Sequence, residues 1–596
     1  MIKKLLNKFE SILVWAQSKL TNKQFIFLSS VLVGISAAFA VIVLKTFAHK
    51  IFIFASYVTN ISIFKYEFIK GMLPVFGILL TVFVVNKFLG GVIEKGTSQI
   101  LHAVAQKASV ISAKQMYAQI ITSSLTIGFG GSAGLESPIV ITGAAFGSNY
   151  AQKYRLPYKD RTLLIGCGVA AGIGAAFNAP IAGVLFAIEV LLVDVSISAF
   201  TPIMIAAATG ALVSKIALDE TILLTFNQKQ NFDYHNIPFY ILLGLLTGLI
   251  SVYYSRNFLI IEHIFNRLKF SPYKKALIGS SILAILIFVF PTLFGEGYES
   301  IKILSEDNPG QLLNNTIFSD FRDNSWVLLL FVGFTMMLKV FATGITLGSG
   351  GNGGNFAPSL FLGSYLGFFF AKLLNLIGLT KLPVSNFAMV GMAGILSGLF
   401  HAPLTAIFLI AEITGGYDLM IPLMIVASIS FAISKRFEKH SLDVKSLAKK
   451  GLAFTSNKDK NILSALDTTS IIQTDYLTVS PDENLEKLVD LISHSNQVIF
   501  AVVNKEKDLL GIVHFNTIRE IIFNPYRVKF TMVKEIMTTP IEVIYPTDSM
   551  EVVMNKFEKS KVVFLPVIKN AKYFGFISKS IALEAYRTKL KSMSIE

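Results

Sequence analysis

The chain has 596 residues, of which 53% are hydrophobic and only 15% are charged, against about 25% charged residues in an average soluble protein. This balance excludes an ordinary soluble globular protein. The net charge of +15 suits basic residues collected in cytoplasmic segments, and because no basic stripe is interleaved with aromatic residues we expect no nucleic-acid partner. The single cysteine, Cys167, excludes a disulfide framework and a cysteine metal site.

The first 24 residues mix Leu, Ile, Phe and Trp with Lys. This pattern predicts an amphipathic helix that lies on the cytoplasmic face of the membrane in contact with lipid. The segment lacks the apolar core and cleavage site of a signal peptide. We therefore expect cytoplasmic N- and C-termini and a location in a bacterial inner membrane.

Long apolar runs between residues 25 and 434 predict a polytopic, all-α membrane domain, since one span needs about 20 apolar residues. Residues 340–371 and 382–411 each lack Asp, Glu, Lys and Arg and are longer than one straight span requires. We predict that each of these two runs is broken into two shorter helices.

Two segments of the membrane domain repeat each other. Residues 128–138 and 348–358 share four glycines and a proline without a gap, and residues 168–189 align with residues 391–412 at nearly the same separation. Such paired segments, interrupted by Gly and Pro, indicate two inverted-topology repeats with a binding site near the bilayer midplane. We assign the repeats to residues 70–218 and 275–434, roughly. Their broken helices would present N-terminal N–H groups to an anion.

The composition changes near residue 435, where Lys, Glu, Asp and Ser become frequent. Residues 435–470 are interpreted as a linker, and residues 471–592 as a cytoplasmic α/β module. Two similar stretches begin at Asp475 and Thr539, each with short strands and a helix that opens at a proline-containing turn. The module resembles a tandem pair of CBS domains, at about residues 471–528 and 532–592.

The resemblance to CBS pairs raises the question of adenine nucleotide binding, which usually employs an Asp on the ribose. The matching positions here are Thr517 and Ile581, and both lack a carboxylate. Binding of ATP or AMP is therefore unsupported, and we expect no cofactor. A structural, dimerising tail is the preferred interpretation, and a membrane-anchored nucleotide sensor is the weaker alternative.

Four motifs of the membrane domain resemble those of the CLC anion channel and transporter family. Residues 134–138 are similar to its Gly-x-Glu-Gly-Pro turn, and residues 354–358 match its Gly-x-Phe-x-Pro turn. Residues 177–180 with Glu189 look like the next helix pair of the family, and residues 414–419 resemble its tyrosine segment. The resemblance implies an all-α domain of two inverted repeats with broken helices, and a homodimer with one pore per subunit.

By this resemblance, specific residues receive roles in anion movement. Glu136 would be the gating glutamate, whose carboxylate occupies an anion site until protonation or an arriving anion displaces it. Tyr417 would donate its hydroxyl to the inner anion site. Asn355 and Phe356 would contribute backbone N–H groups, and Leu135 is assigned to the anion site as well.

One departure from the family pattern concerns the Gly-Ser-Gly-Ile-Pro turn. Counting without gaps from the glutamate motif, this turn falls on residues 94–98, so that Lys95 replaces the serine and the proline is missing. Lys95 either points into the pore, where its charge would tighten anion binding, or extends to the cytoplasmic surface. In the second case the hydroxyls of Thr97 and Ser98, beside Gly96, would substitute, and the choice between chloride and fluoride stays open.

A second departure concerns proton coupling. Proton-coupled exchangers of the family usually carry an acid at the position of Val190, and valine cannot hold a proton. The sequence therefore favours a passive chloride channel gated by a pore glutamate, with a proton-coupled chloride or fluoride antiporter as the alternative. Glu189 matches Glu412 in the other half, which indicates a helix-end role for both.

An enzyme is not expected. Residues 348–353 fit the Gly-x-Gly-x-x-Gly pattern of dinucleotide sites, but no strand–helix–strand unit surrounds them and no acid follows at the required distance. The repeat at Gly128 explains these glycines better.

Overall fold

The computed structural model describes residues 2–61, 66–93, 95–191, 197–218, 231–306, 308–314, 316–448, 463 and 466–593. The chain forms two compact units, Met1–Ala453 and Phe454–Glu596.

The regular secondary structure of the first unit's described residues is helical, apart from one isolated bridge between Gly134 and Gly354. Its α-helices are α1 (Ile2–Lys19), α2 (Asn22–Ile61), α3 (Tyr66–Phe88), α4 (Ser98–Gln106), α5 (Gln115–Gly128), α6 (Glu136–Lys153), α7 (Tyr158–Phe177), α8 (Pro180–Phe186), α9 (Ile197–Leu218), α10 (Ile237–Arg267), α11 (Pro272–Val289), α12 (Tyr298–Leu304), α13 (Ser325–Gly348), α14 (Phe356–Ile377), α15 (Val384–Phe400), α16 (Pro403–Thr414), α17 (Met420–Phe437) and α18 (Leu442–Ala448). A π-helical turn, Ala187–Leu191, extends α8, and short 3₁₀ turns occupy Tyr234–Asn236, Pro291–Leu293, Pro309–Leu313, Ser319–Phe321 and Tyr417–Leu419.

Within the described residues, nine helical stretches are long and apolar enough to cross a membrane. The two predicted helix breaks are confirmed. Residues 340–371 are divided between α13 and α14 by a glycine-rich loop, and residues 382–411 are divided between α15 and α16. α16 opens on Pro403, which has no N–H to donate and therefore begins a new helix at no cost in hydrogen bonds.

The two halves of the unit pack in the same way. α6 packs on α7 and α7 on α9, as α14 packs on α15 and α15 on α17. Close helix contact depends on matching glycines, since a Cβ atom on Gly143 would lie 2.2 Å from the Gly168 carbonyl oxygen, and one on Gly363 would lie 2.4 Å from that of Gly391. The repeat seen in the sequence therefore corresponds to a repeat in the packing.

The structure differs from the sequence prediction at the start of the linker. The linker was expected at residues 435–470, but α17 continues to Phe437 and α18 follows within the first unit. Glu438 anchors this segment, because the residue is 8% exposed and its carboxylate pairs with Arg256 at 2.7 Å and with Lys445. The polar composition of this stretch reflects a charged anchor rather than a free linker.

The second unit is a small α/β module. Its strands are β1 (Thr478–Val479), β2 (Ile499–Val503), β3 (Leu509–His514), β4 (Phe564–Lys569) and β5 (Lys572–Ser578), and its helices are α19 (Leu485–Ser493), α20 (Phe515–Ile518), α21 (Pro525–Phe530), α22 (Val533–Ile536), α23 (Met550–Ser560) and α24 (Lys579–Met593), with a 3₁₀ turn at Thr468–Ile471. β2 pairs with β1 in parallel and with β3 in antiparallel, and β4 pairs with β5 in antiparallel. Two separate apolar cores, around Phe500 and around Phe557, mark two subdomains.

Candidate functional site

The glycine-rich loops of the two halves meet each other. Gly134 N–H donates to the Gly354 carbonyl at 2.9 Å, and Gly354 N–H donates to the Gly134 carbonyl at 2.8 Å. Thr126 Oγ1 and Thr346 Oγ1 each accept a backbone N–H from the loop of the opposite half. The N-termini of α6 and α14, which follow these loops, are thereby held close together.

Glu136 begins α6 and reaches across to the other half. Its side chain is only 3% exposed, and its carboxylate accepts hydrogen bonds from the Tyr298 hydroxyl at 2.6 Å and from Ala357 N–H, in the first turn of α14, at 3.3 Å. A Cβ atom on Gly134 would lie 2.0 Å from this carboxylate, so a side chain at this position would push the carboxylate away from where it lies. The carboxylate thus lies at a helix N-terminus, where N–H groups and the helix dipole favour a negative charge.

A second carboxylate lies beside the first. Glu296, between α11 and α12, accepts a hydrogen bond from Leu135 N–H at 3.0 Å. Leu135 caps the N-terminus of α6, so the backbone N–H of this predicted anion-site residue is engaged by a protein carboxylate. Lys339 of α13 is fully buried nearby, and its ammonium donates to Ser132 Oγ at 2.9 Å and to the Gly295 carbonyl at 3.1 Å.

Sequence reasoning missed Glu296, Tyr298 and Lys339. Lys339 carried a usable signal, because a charged residue inside a membrane span is a functional hypothesis by default. Glu296 and Tyr298 carried none, since they lie in a connecting segment whose position beside Glu136 depends on the fold.

A cavity of about 310 Å³ lies next to this cluster. We call it the Asp443 cavity, and its polar lining comprises Lys95, Ser98, Ser137, Glu262, Asn266, Asn355 and Asp443, together with glycines that include Gly96, Gly353 and Gly354. Ser137 directly follows Glu136, and Asn355 lies two residues before Ala357. The cavity therefore leads to the backbone around the Glu136 carboxylate.

The predicted turn at residues 95–98 contributes to this cavity, while Glu94 lies outside the described residues. Lys95 lines the cavity and its ammonium donates to the Leu347 carbonyl at 3.1 Å. Gly96 has a φ of 77°, which favours glycine. Thr97 Oγ1 donates a hydrogen bond to the Asp443 carboxylate, and Ser98 lies in the cavity wall. Asp443 falls within the predicted linker, so the sequence does not indicate it as a site residue.

Comparison with known proteins identifies the family. Residues 76–435, more than half of the chain, match the family described as the voltage gated chloride channel. The chain belongs to the voltage-gated chloride channel, or CLC, family. Residues 469–524 and 533–588 each match the CBS domain.

Individual relatives agree with this assignment. The voltage-gated ClC-type chloride channel ClcB of Escherichia coli is 28% identical over 334 residues, which are 54% of this chain and 73% of that protein. The crystal structure of a CLC-type fluoride/proton antiporter aligns with a TM-score of 0.56 at 25% identity, covering 71% of this chain and 99% of the other. A slow cyanobacterial Cl⁻/H⁺ antiporter aligns with a TM-score of 0.62 at 19% identity over 72% and 99%, which shows the shared fold.

Asn355 and Phe356 lie where this CLC protein begins α14. Asn355 lines the Asp443 cavity, and its side-chain oxygen accepts a hydrogen bond from the Tyr254 hydroxyl at 3.0 Å. Phe356 is buried, with its ring 5.6 Å from that of Phe400 and 5.8 Å from that of Phe177. The Phe356 side chain therefore packs the ends of α7 and α15 against the start of α14.

Tyr417 is not brought together with these residues. It lies in the turn between α16 and α17, is 47% exposed, and is not part of the lining of the Asp443 cavity. The role in anion binding that the resemblance gives to Tyr417 stays a prediction. The Asp443 carboxylate lines the cavity, and Tyr417 does not.

Glu189 and Glu412 form a reciprocal pair of helix caps. The Glu189 carboxylate accepts the N–H groups of Leu404 at 3.2 Å and Thr405 at 2.8 Å, at the start of α16. The Glu412 carboxylate accepts two N–H groups at the start of α8, at 3.2 and 2.8 Å. This is the helix-end role that the sequence indicates for both, and Val190 lies beside Glu189 in the π-helical turn.

The CBS pair has two positions, Thr517 and Ile581, at which nucleotide-binding pairs usually carry an Asp for the ribose. Thr517 is exposed on α20, and Ile581 packs against the core of the second subdomain. Neither side chain can accept hydrogen bonds from ribose hydroxyls as a carboxylate does. These two positions therefore do not fit the ribose of an adenine nucleotide.

Proposed function

We propose that this CLC protein conducts chloride and other small anions passively across the membrane, gated by Glu136. The observation that supports this proposal best is the position of the Glu136 carboxylate, which lies on an N–H group of the α14 N-terminus and beside a polar cavity. A mobile anion needs the same donors, so it would compete with the carboxylate for them. Protonation of Glu136 would remove its charge and weaken its hold on this position.

Passive conduction is supported by Val190. A proton relay through a membrane protein needs titratable stations, and the position that carries an acid in many exchangers is here an aliphatic side chain. Glu189, the neighbouring acid, already accepts two backbone N–H groups of α16 and the Thr405 hydroxyl. A carboxylate with these bonds is fixed as a cap rather than available as a proton carrier.

Proton-coupled exchange is the second candidate, and one observation favours it. The Asp443 cavity holds two carboxylates, Asp443 and Glu262, within the same polar space that reaches Ser137. Both carboxylates can take up and release protons, which Val190 cannot. The solved relatives include a Cl⁻/H⁺ and a fluoride/proton antiporter, so both candidates are compatible with the family.

Flux from liposomes that contain the purified protein tests the proposal, with chloride and pH recorded together. We expect a chloride gradient to drive anion efflux without proton movement, faster at low pH, and Glu136→Gln to weaken this pH dependence. The exposed Glu299→Gln serves as the matched control. Proton movement in fixed ratio to chloride would overturn the passive proposal in favour of exchange.

Chloride is proposed as the main anion, with Lys95 as the residue that sets anion preference. Its ammonium lines the cavity, and a full positive charge attracts any small anion, including strongly hydrated ones. Lys95→Ser should weaken anion binding and change the ratio of chloride to fluoride flux. If the parent and the variant had the same ratio of chloride to fluoride flux, Lys95 would not set anion preference.

We also propose that the protein is a homodimer with one anion pathway per subunit, and that both termini of each chain are cytoplasmic. Cross-linking in native membranes tests the first point, and protease access to a C-terminal tag from either side of the membrane tests the second. Within this proposal the chain is a transporter of ions and catalyses no covalent step.

A further inference from the structure

The two helix N-termini that meet at the site each carry a protein carboxylate. Glu136 accepts the Ala357 N–H at the start of α14, and Glu296 accepts the Leu135 N–H at the start of α6. Leu135 and Asn355 are matching positions of the two repeats. In both halves, therefore, one carboxylate binds the N-terminus of the helix that follows the glycine-rich loop. The two carboxylates come from different segments of the chain.

Charged and titratable groups surround Glu296 on several sides. Glu136 of α6 and Tyr298 of α12 lie next to it. The ammonium of Lys339 in α13 binds the carbonyl of the neighbouring Gly295. The charges of Lys339 and of Lys45 in α2 attract the Glu296 carboxylate. Lys339 is fully buried. Two carboxylates and a permeating anion this close together would repel one another, and the two lysines oppose this repulsion.

The Leu135 N–H is the donor that an anion passing the α6 N-terminus would use. As long as the Glu296 carboxylate accepts from it, that donor is occupied, just as the Ala357 N–H is occupied by Glu136. Displacing Glu136 alone would free the α14 N-terminus and leave the α6 N-terminus blocked.

We propose that Glu296 is a second gating carboxylate, which competes with the permeating anion for the α6 N-terminus. Conduction then requires that both Glu136 and Glu296 leave their helix N-termini or lose their charge. This inference rests on the proposed function, in which Glu136 gates an anion pathway.

The test is chloride efflux from liposomes between pH 4.5 and 8 for the parent, Glu136→Gln, Glu296→Gln and the double variant. We expect Glu136→Gln to retain a pH dependence that comes from Glu296, and the double variant to be faster at pH 7.5 by about tenfold or more and independent of pH, as befits the loss of a charge-assisted hydrogen bond. Glu299→Gln, three residues away and exposed, should behave as the parent.

Glu296→Asp separates gating from a structural role. It keeps a negative charge near Lys339 but is one methylene too short to reach the Leu135 N–H. A gating role predicts faster efflux for this variant at pH 7.5, and a purely charge-balancing role predicts the parent rate, which would overturn the inference. A double variant that matches Glu136→Gln in rate and pH profile would overturn it as well.

Failure of the two proposals gives different results. If Glu136→Gln conducts anions and no change at Glu296 alters that flux, only the second gate is wrong. If no variant, Glu136→Gln included, conducts chloride or fluoride, then the proposed function and the second gate are both wrong.

Discussion

Tyr298 holds the Glu136 carboxylate by a single short hydrogen bond, at 2.6 Å. A hydrogen bond to a charged group contributes about 1.5–3 kcal/mol, so removing the hydroxyl should make the carboxylate easier to displace. We expect Tyr298→Phe to raise chloride flux at neutral pH by about tenfold, and to keep the rise of flux towards low pH, because Glu136 can still be protonated.

Tyr417→Phe is the matched control for this change. The Tyr417 hydroxyl lies outside the cavity lining on a side chain that is 47% exposed, so its loss should leave flux unchanged. If Tyr417→Phe changed chloride flux strongly and Tyr298→Phe did not, the result would support the role in the inner anion site that the resemblance gives to Tyr417.

Asp443 places a carboxylate in the wall of the cavity that a permeating anion would enter. A unit charge about 10 Å from the anion, at an effective dielectric constant of about 20, raises its energy by about 1.7 kcal/mol. Asp443→Asn keeps an acceptor for the Thr97 hydroxyl and removes the charge. We therefore expect chloride flux to rise by about tenfold at low ionic strength and by less at high salt, since salt screens the charge.

The control for Asp443→Asn is Asp418→Asn, at an exposed carboxylate outside the cavity lining. The measurement is the initial rate of chloride efflux at two salt concentrations, with pH recorded. Loss of a coupled proton movement on Asp443→Asn, without a gain in chloride flux, would show that this carboxylate carries protons instead.

At the scale of elements, the sequence predicted the helix breaks and the pairing of the glycine-rich segments, because Gly, Pro and apolar run length act locally along the chain. The contacts made across the repeats were not predictable in the same way. Glu136 was found through its motif, whereas Glu296 meets Leu135 only because the segment between α11 and α12 folds back over the site. Asp443 was hidden by a composition that resembles a linker.

The reciprocal caps of α8 and α16 are a prediction at this scale. Glu412 accepts two N–H groups of α8, and Glu189 accepts two of α16. Glu412→Gln should lower the stability of the membrane unit by about 1–2 kcal/mol, since a charged acceptor at a helix N-terminus is replaced by a neutral one. Thermal unfolding in detergent measures this, with Asp418→Asn as control.

The same pair tests the assignment of Glu189. Glu189→Gln should reduce thermal stability to a similar extent as Glu412→Gln, and both variants should keep the parent's pH dependence of chloride flux. A changed pH dependence for Glu189→Gln alone would identify it as a proton carrier rather than a cap, and would favour proton-coupled exchange.

At the scale of the whole molecule, composition and hydropathy sufficed to separate a membrane unit from an α/β tail. A surface that faces lipid must be apolar and one that faces water must be polar, so the two units differ in composition. The boundary was less predictable, because a charged segment that packs through Glu438 and one that is free in water have the same composition. Within the described residues, the first unit continues through α18 to Ala448, past the expected end of the membrane domain at residue 434.

The tail provides the last prediction. Thr517 is exposed and Ile581 packs against an apolar core, and because neither residue is acidic the CBS pair lacks carboxylates for the ribose at both matching positions. A nucleotide at 100 times its Kd would stabilise the unit that binds it by about 2.7 kcal/mol. We expect millimolar ATP or AMP to leave both the unfolding temperature of residues 454–596 and the chloride flux of the full chain unchanged. A saturable rise in that temperature, with a parallel change in flux, would make the tail a nucleotide sensor that controls the membrane unit.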